Sequence, residues 1–142
     1  MSFDYCMKKG LIKKNLDAKK RVERELVSAN KFLNSSKNII KIDEFDSAFL
    51  SAYNSCFHFL RALLFYKGYI EKSHYCLIEA LKSLYSNEKI LLELLETFDK
   101  IRQARHEIQY GGIFSDMEEV EHLIKLNEKI KTTCENILNK KA

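Results

Sequence analysis

Arg102, Arg105, His106 and Tyr110 crowd the end of one predicted helix, just before Gly111-Gly112. An arginine fork can hold a phosphate through two parallel N–H bonds, or stabilise a pentacovalent oxyanion. Histidine can take or give a proton near neutral pH. Tyrosine can donate to a phosphate or stack on a base. Arg102, His106 and Tyr110 are spaced by four, so each reaches its neighbour along the helix. Together they are candidates for binding or cleaving RNA: Arg105, His106 and Tyr110 for the chemistry, Arg102 and Arg105 for the phosphate. Arg105 sits oddly. Leu91, Leu94, Phe98, Ile101, Arg105 and Ile108 recur at three- and four-residue steps, which places a guanidinium in the middle of an apolar stripe. That is costly unless the charge is paired or opens onto a cleft. Either Arg105 meets a buried carboxylate and the rest is a polar helix end, or the seam is a site.

Other chemistries find no support in the spacing. The paired glycines follow a helix instead of opening one, so there is no phosphate-cradling loop. No His-Glu-x-x-His or Glu-x-x-His pair occurs, and neither a metal nor a cofactor is expected. His58, between Phe57 and Phe59, reads as a hydrogen-bonded core histidine. His74, beside the candidate N-cap Ser73, reads as help for a helix end. His122 lies on a polar stretch and carries no assignment.

The elements that must position this segment are helices. The chain has 142 residues, no proline and four glycines, so long uninterrupted helices and one domain are the default. Residues 1–14 form an N-terminal arm, 15–138 the bundle and 139–142 a frayed tail. A first helix runs from Asn15 or Asp17 to Leu33 or beyond, with Val22, Leu26, Ala29 and Leu33 as its buried stripe. Its charged outer face, Lys19 to Glu25, reads as solvated. Residues 34–43 read as a connection. A second helix starts at Asp43 or Glu44, with Asp43 as the candidate N-cap; it is apolar most of the way round, which marks it as central, and stops at Gly68. A third begins at Ser73. The fourth carries Arg105. The fifth begins at Ser115, which has Glu118 three residues on, a capping-box spacing. No stretch has strand periodicity. The expectation is an all-α, antiparallel four- to five-helix bundle.

The net charge of +4 permits nucleic-acid binding without demanding it. Cys6, Cys56, Cys76 and Cys134 form no close pair, and all four are expected as reduced thiols in a cytoplasmic protein. No secretory signal pattern and no membrane-spanning run is visible.

Two blocks resemble a known family. The first is Ala52-Tyr53-Asn54-Ser55-Cys56-Phe57-His58-Phe59-Leu60-Arg61-Ala62-Leu63-Leu64, continuing through Lys67-Gly68 to Lys72-Ser73-His74. The second is Arg102-Gln103-Ala104-Arg105, four residues, then Tyr110 and a glycine. Both are similar to segments of the compact stand-alone prokaryotic branch of the HEPN superfamily. The resemblance implies a helical bundle that forms a homodimer. In nuclease members an Arg-x(4–6)-His motif from both protomers meets in an interfacial cleft and cleaves RNA without metal. Other members are toxins paired with a nucleotidyltransferase, or have lost catalysis. Here Arg105 matches the motif arginine, Tyr110 stands at the histidine position, and His106 replaces the usual Asn or Asp. Two functions stay open: a ribonuclease or toxin component acting on RNA, and a non-catalytic module binding a nucleotidyltransferase, a nucleotide or a nucleic acid.

Overall fold

The computed structural model describes residues 2–112 and 114–141. Its elements are α1 (Phe3–Lys8), β1 (Ile12–Lys14), α2 (Val22–Ile39), α3 (Phe45–Tyr66), β2 (Tyr69–Glu71), α4 (His74–Leu84), α5 (Lys89–Tyr110) and α6 (Met117–Lys141). The protein is an all-α helical bundle, as the stripes imply. Ala142, in the tail expected to fray, and Met1, at the start of the arm, lie outside the described residues.

The centre is α3. Its apolar residues face several directions, and α2, α4, α5 and α6 all pack on it. Tyr53, Phe59, Leu60, Leu63 and Leu64 are fully buried. Polar groups inside are satisfied across helices. Ser55 Oγ lies 2.6 Å from Ala29 O and 3.0 Å from Asn127 Oδ1, while Asn127 Nδ2 donates to Ala52 O at 3.3 Å. That network joins α2, α3 and α6. A second one surrounds His58, whose Nδ1 is 2.7 Å from Glu25 Oε1. Arg61 Nε donates to Glu71 at 3.1 Å, and burial pushes the Glu71 carboxyl up against the opposing pull of Arg61. His58 is thus the bonded histidine its apolar flanks suggest.

Several boundaries differ from the sequence reading. A short 3-10 turn over Ala18–Arg21 precedes α2, which then runs on to Ile39, through most of the stretch expected as a connection. Asn34-Ser35-Ser36 look turn-forming, but Ser36 is buried and its hydroxyl donates back to Leu33 O at 2.8 Å. A serine so satisfied is tolerated inside a helix. Asp43 does not cap α3. It takes the left-handed conformation, φ 60°, and Glu44 occupies the cap position. Asp is one of the few non-glycine residues that visit this region readily. The capping box of α6 lies one residue beyond Ser115: Asp116 Oδ1 accepts from Glu119 N at 2.8 Å and Glu119 Oε1 accepts from Asp116 N at 3.3 Å. Ser115 instead donates its backbone N–H to Asp46, which anchors the chain's return onto α3.

Two further expectations are overturned. There is a strand pair, β1 antiparallel to β2, with Ile12 opposite Glu71 and Lys14 opposite Tyr69. Three residues are too few to display alternation, and the partners lie far apart in sequence, so no local pattern announces them. The cysteines are not all reduced. Cys6 on α1 and Cys76 on α4 form a disulfide across a sequence separation of 70. It takes away the thiol argument for a cytoplasmic protein. Cys56 and Cys134 are free and buried, and burial pushes both thiols up, so they pack as small hydrophobes. No described helix is long and apolar enough to cross a membrane.

The loop closed by the disulfide is long. By the chain-entropy argument, opening a loop of this length costs about 4 kcal/mol. Cys6→Ser, or reduction by dithiothreitol, is therefore expected to lower the urea midpoint and the melting temperature. Equal unfolding curves with and without reductant would show that the bond contributes nothing.

Candidate functional site

The site is built where α4 begins and α5 ends. Ser73 caps α4, its Oγ accepting from Cys76 N at 3.2 Å. Cys76 is itself tied to α1 by the disulfide, and Lys72 N donates to Leu11 O beside β1. The first residue of α4, His74, is thus held on both sides. Along α5, Leu91, Leu94, Leu95 and Phe98 are buried, and no later residue of the helix is. Ile101, Arg105 and Ile108 are half-buried. The stripe that carries Arg105 leaves the core as it reaches the arginine.

An open cleft of about 490 Å³ lies here, lined by Ser73, His74, Tyr75, Arg102, Gln103, Arg105, His106 and Glu107. Tyr53, from the middle of α3, is fully buried and touches two of these lining residues, Arg105 and His74. The Arg105 guanidinium carbon sits 5.1 Å from the centroid of the Tyr53 ring, a cation–π distance. Phe98 stacks on Tyr53 at 5.0 Å and His74 at 5.9 Å. The Tyr53 hydroxyl is 2.7 Å from His74 Nδ1. Burial pushes the Tyr53 phenol up to about 12, against the opposing pull of Arg105 and Arg102. Burial also holds the His74 imidazole down, to about 4, helped by the nearby Arg105, Arg102, Arg61 and His58. His74 is neutral at physiological pH.

The four sequence candidates separate. Arg102, Arg105 and His106 all line the cleft. Arg102 Nε donates to Asp99 at 3.0 Å, and its guanidinium lies 5.9 Å from the Tyr75 ring. This is a half-exposed helical pair, of the kind worth only a few tenths of a kcal/mol. Arg105 has no carboxylate partner among the described residues, so the buried-carboxylate alternative for it fails. Tyr110 does not line the cleft. It is 67% exposed, and its ring sits 5.1 Å from that of His106. Two members of the site, Tyr53 and His74, were not among the candidates. His74 read as a helix-end residue and Tyr53 as part of an apolar run. Their partners lie on other helices, and no local spacing points to them.

Chemically, the cleft offers two guanidinium groups, a neutral imidazole and an exposed imidazole, with one carboxylate, Glu107, also on its lining. That set suits an anion with several acceptor oxygens, such as a phosphate. Among the described residues no group of His, Cys, Asp and Glu is placed to hold a metal ion. The family model of the HEPN domain matches residues 22–137. The chain belongs to the HEPN family. No curated protein matches the sequence. The match spans α2 through most of α6 and therefore contains the whole cleft of this HEPN domain. It begins after α1 and β1, so the disulfide-tied segment lies outside it.

The depressed His74 has a consequence for stability. The unfolded chain takes up the proton near 6.5 and the folded one only near 4, so acid favours unfolding in between. The contribution is fully present above about 6.5 and is lost as the pH falls toward 4. His74→Gln should flatten the decline of the urea midpoint over this interval. An unchanged slope would mean that His74 is already free to protonate in the folded protein.

Proposed function

We propose that this HEPN protein binds RNA by gripping its phosphates in the cleft between α4 and α5. The observation that carries the reading is Arg105. It is half-buried over Tyr53, it stands beside Arg102, and it lacks a carboxylate partner among the described residues. A guanidinium held there by a ring face, with its N–H fork uncommitted, is ready for an anion. The cleft's wall of His106 adds a group able to move a proton, which supports the stronger form of the proposal, a metal-independent ribonuclease or toxin component.

A homodimer is part of the same reading. Ile101, Ala104 and Ile108 pack only partly against the core, and Tyr110, Phe114 and Met117 are exposed nearby. A second copy packed on this end of α5 would cover them and bring two clefts together. The alternative is a non-catalytic HEPN module that binds a nucleotidyltransferase, a nucleotide or a nucleic acid. Tyr110 favours it. At the position of the nuclease-motif histidine stands an exposed tyrosine, outside the cleft.

Metal-free protein incubated with mixed RNA separates the two readings. Arg105→Ala is expected to weaken RNA binding while the circular dichroism spectrum stays helical. Arg105→Lys should recover only part of the affinity, since a point charge does not reproduce the fork. Loss of one phosphate contact should also lower the slope of log affinity against log salt by about 0.7. If RNA is cleaved, His106→Ala should slow the reaction by about 10²-fold or more. An Arg105→Ala protein that unfolds, yet binds RNA normally per folded molecule, would make the arginine structural. Light scattering at tens of micromolar should return the mass of a dimer; a monomer mass would remove the paired-cleft arrangement.

A further inference from the structure

His74 is the one residue of the cleft whose protonation state is dictated from inside the core. Its Nδ1 lies 2.7 Å from the hydroxyl of Tyr53, a residue with no exposed surface. That hydroxyl has no other hydrogen-bond partner among the described residues. A buried O–H needs an acceptor, so Tyr53 donates and Nδ1 accepts. A neutral imidazole that accepts at Nδ1 carries its proton at Nε2. The imidazolium form is opposed by burial, then by Arg105 and Arg102 on α5 and Arg61 and His58 on α3. Nε2 itself has no partner among the described residues. It is not sealed in, either: the buried, unpartnered side-chain atom of the described residues is Ser115 Oγ, far along the chain. Nε2–H therefore reaches solvent, on a ring that lines the same cleft as Arg102 and Arg105. The ring cannot swing away easily. Phe57 stacks on it at 4.1 Å, and the Ser73 cap and the Cys6–Cys76 bond hold the backbone on either side.

We propose that His74 is a neutral hydrogen-bond donor to the bound phosphodiester, presenting Nε2–H to a non-bridging oxygen, with its tautomer set by Tyr53. The inference rests on the cleft being the phosphate site. It also divides the labour between the two histidines. The only basic nitrogen of His74 is occupied by Tyr53, so His74 holds the anion and does not remove a proton. Proton transfer falls to His106, which is exposed on the opposite wall. A neutral donor adds no charge to the two guanidinium groups, and its contact is insensitive to salt, unlike theirs.

The test uses the full chain and a single-stranded uridine oligomer. Binding is followed by fluorescence anisotropy at pH 7 for the wild type, His74→Ala, His74→Gln and Arg105→Ala, with circular dichroism to confirm folding. His74→Ala should weaken binding about tenfold or more, the scale of one hydrogen bond to a charged acceptor, and leave the salt slope unchanged. His74→Gln keeps an N–H near the Nε2 position and should recover part of the loss. Long-range ¹H–¹⁵N spectra of ¹⁵N-histidine protein, with His74→Gln as the assignment control, should show the Nε2–H tautomer of His74 at pH 7. That signal should move when the oligomer binds. If Arg105→Ala weakens binding while both His74 variants match the wild type, the role given to His74 is wrong and the cleft stands. If Arg105→Ala binds as the wild type does, or no binding occurs, the phosphate cleft itself is wrong and His74 falls with it. An Nδ1–H tautomer, or an imidazolium, at pH 7 overturns the part assigned to Tyr53.

Discussion

Tyr53 joins three helices at one point. Its ring is stacked on Phe98 of α5 and lies under Arg105 of the same helix, while its hydroxyl meets His74 of α4. The residue itself belongs to α3, the helix on which the rest of the bundle packs. A large aromatic with a polar tip is suited to this place. The ring supplies apolar area to the core, and the hydroxyl is carried to where the core ends. Remove the ring and the guanidinium loses its seat; remove the hydroxyl and the imidazole loses the group that orients it. The chemistry of the cleft is therefore coupled to the packing of the bundle through a single side chain.

Arg105 shows how a charge can stand in an apolar stripe without a carboxylate. A buried ion pair must offset the desolvation of both partners, and usually does so only with good geometry and further hydrogen bonds. Here the stripe rises out of the core before it reaches the arginine, so desolvation is partial, and the face of Tyr53 takes the place of a counter-ion. Contrast Arg61 on α3, which pairs with Glu71 and lies 4.9 Å from the Phe65 ring. Arg61 is committed to holding β2 against α3. Arg105 has no carboxylate partner among the described residues. The two side chains are of the same type, and their partners differ: a carboxylate for Arg61, a ring face for Arg105.

The segment before α2 acts on the site from behind. The disulfide from Cys6, the pairing of β1 with β2 and the bond from Lys72 N to Leu11 O all converge on the stretch Tyr69–Cys76. That stretch delivers His74. A three-residue strand pair is marginal alone in water, and α1 is too short to be a stable isolated helix. Together with a covalent bond they are held, and they restrict the backbone on both sides of the histidine.

Much of this protein follows from local pattern. The absence of proline and the three- and four-residue apolar steps determine a helical bundle. The all-round apolar character of residues 45–66 determines which helix is central. Ser73 as an N-cap and His58 as a bonded core histidine are also legible, because each depends on neighbours within a turn or on the polarity of its own helix face. Arg105 stands out in sequence for the same reason: one charge breaks a periodic stripe. Only the tertiary structure decided the rest. The Asn34–Ser36 stretch stays helical because burial and a back-bonding hydroxyl outweigh propensity. Cys6 and Cys76 meet because α1 folds back on α4, and β1 finds β2 for the same reason. Tyr53 and His74 join Arg105 through contacts between α3, α4 and α5, with the first two 21 positions apart in sequence and the third further on. Periodicity reports which face of a helix is buried. It carries no record of which helix that face will meet, and a site made of residues from three helices exists only once they have met.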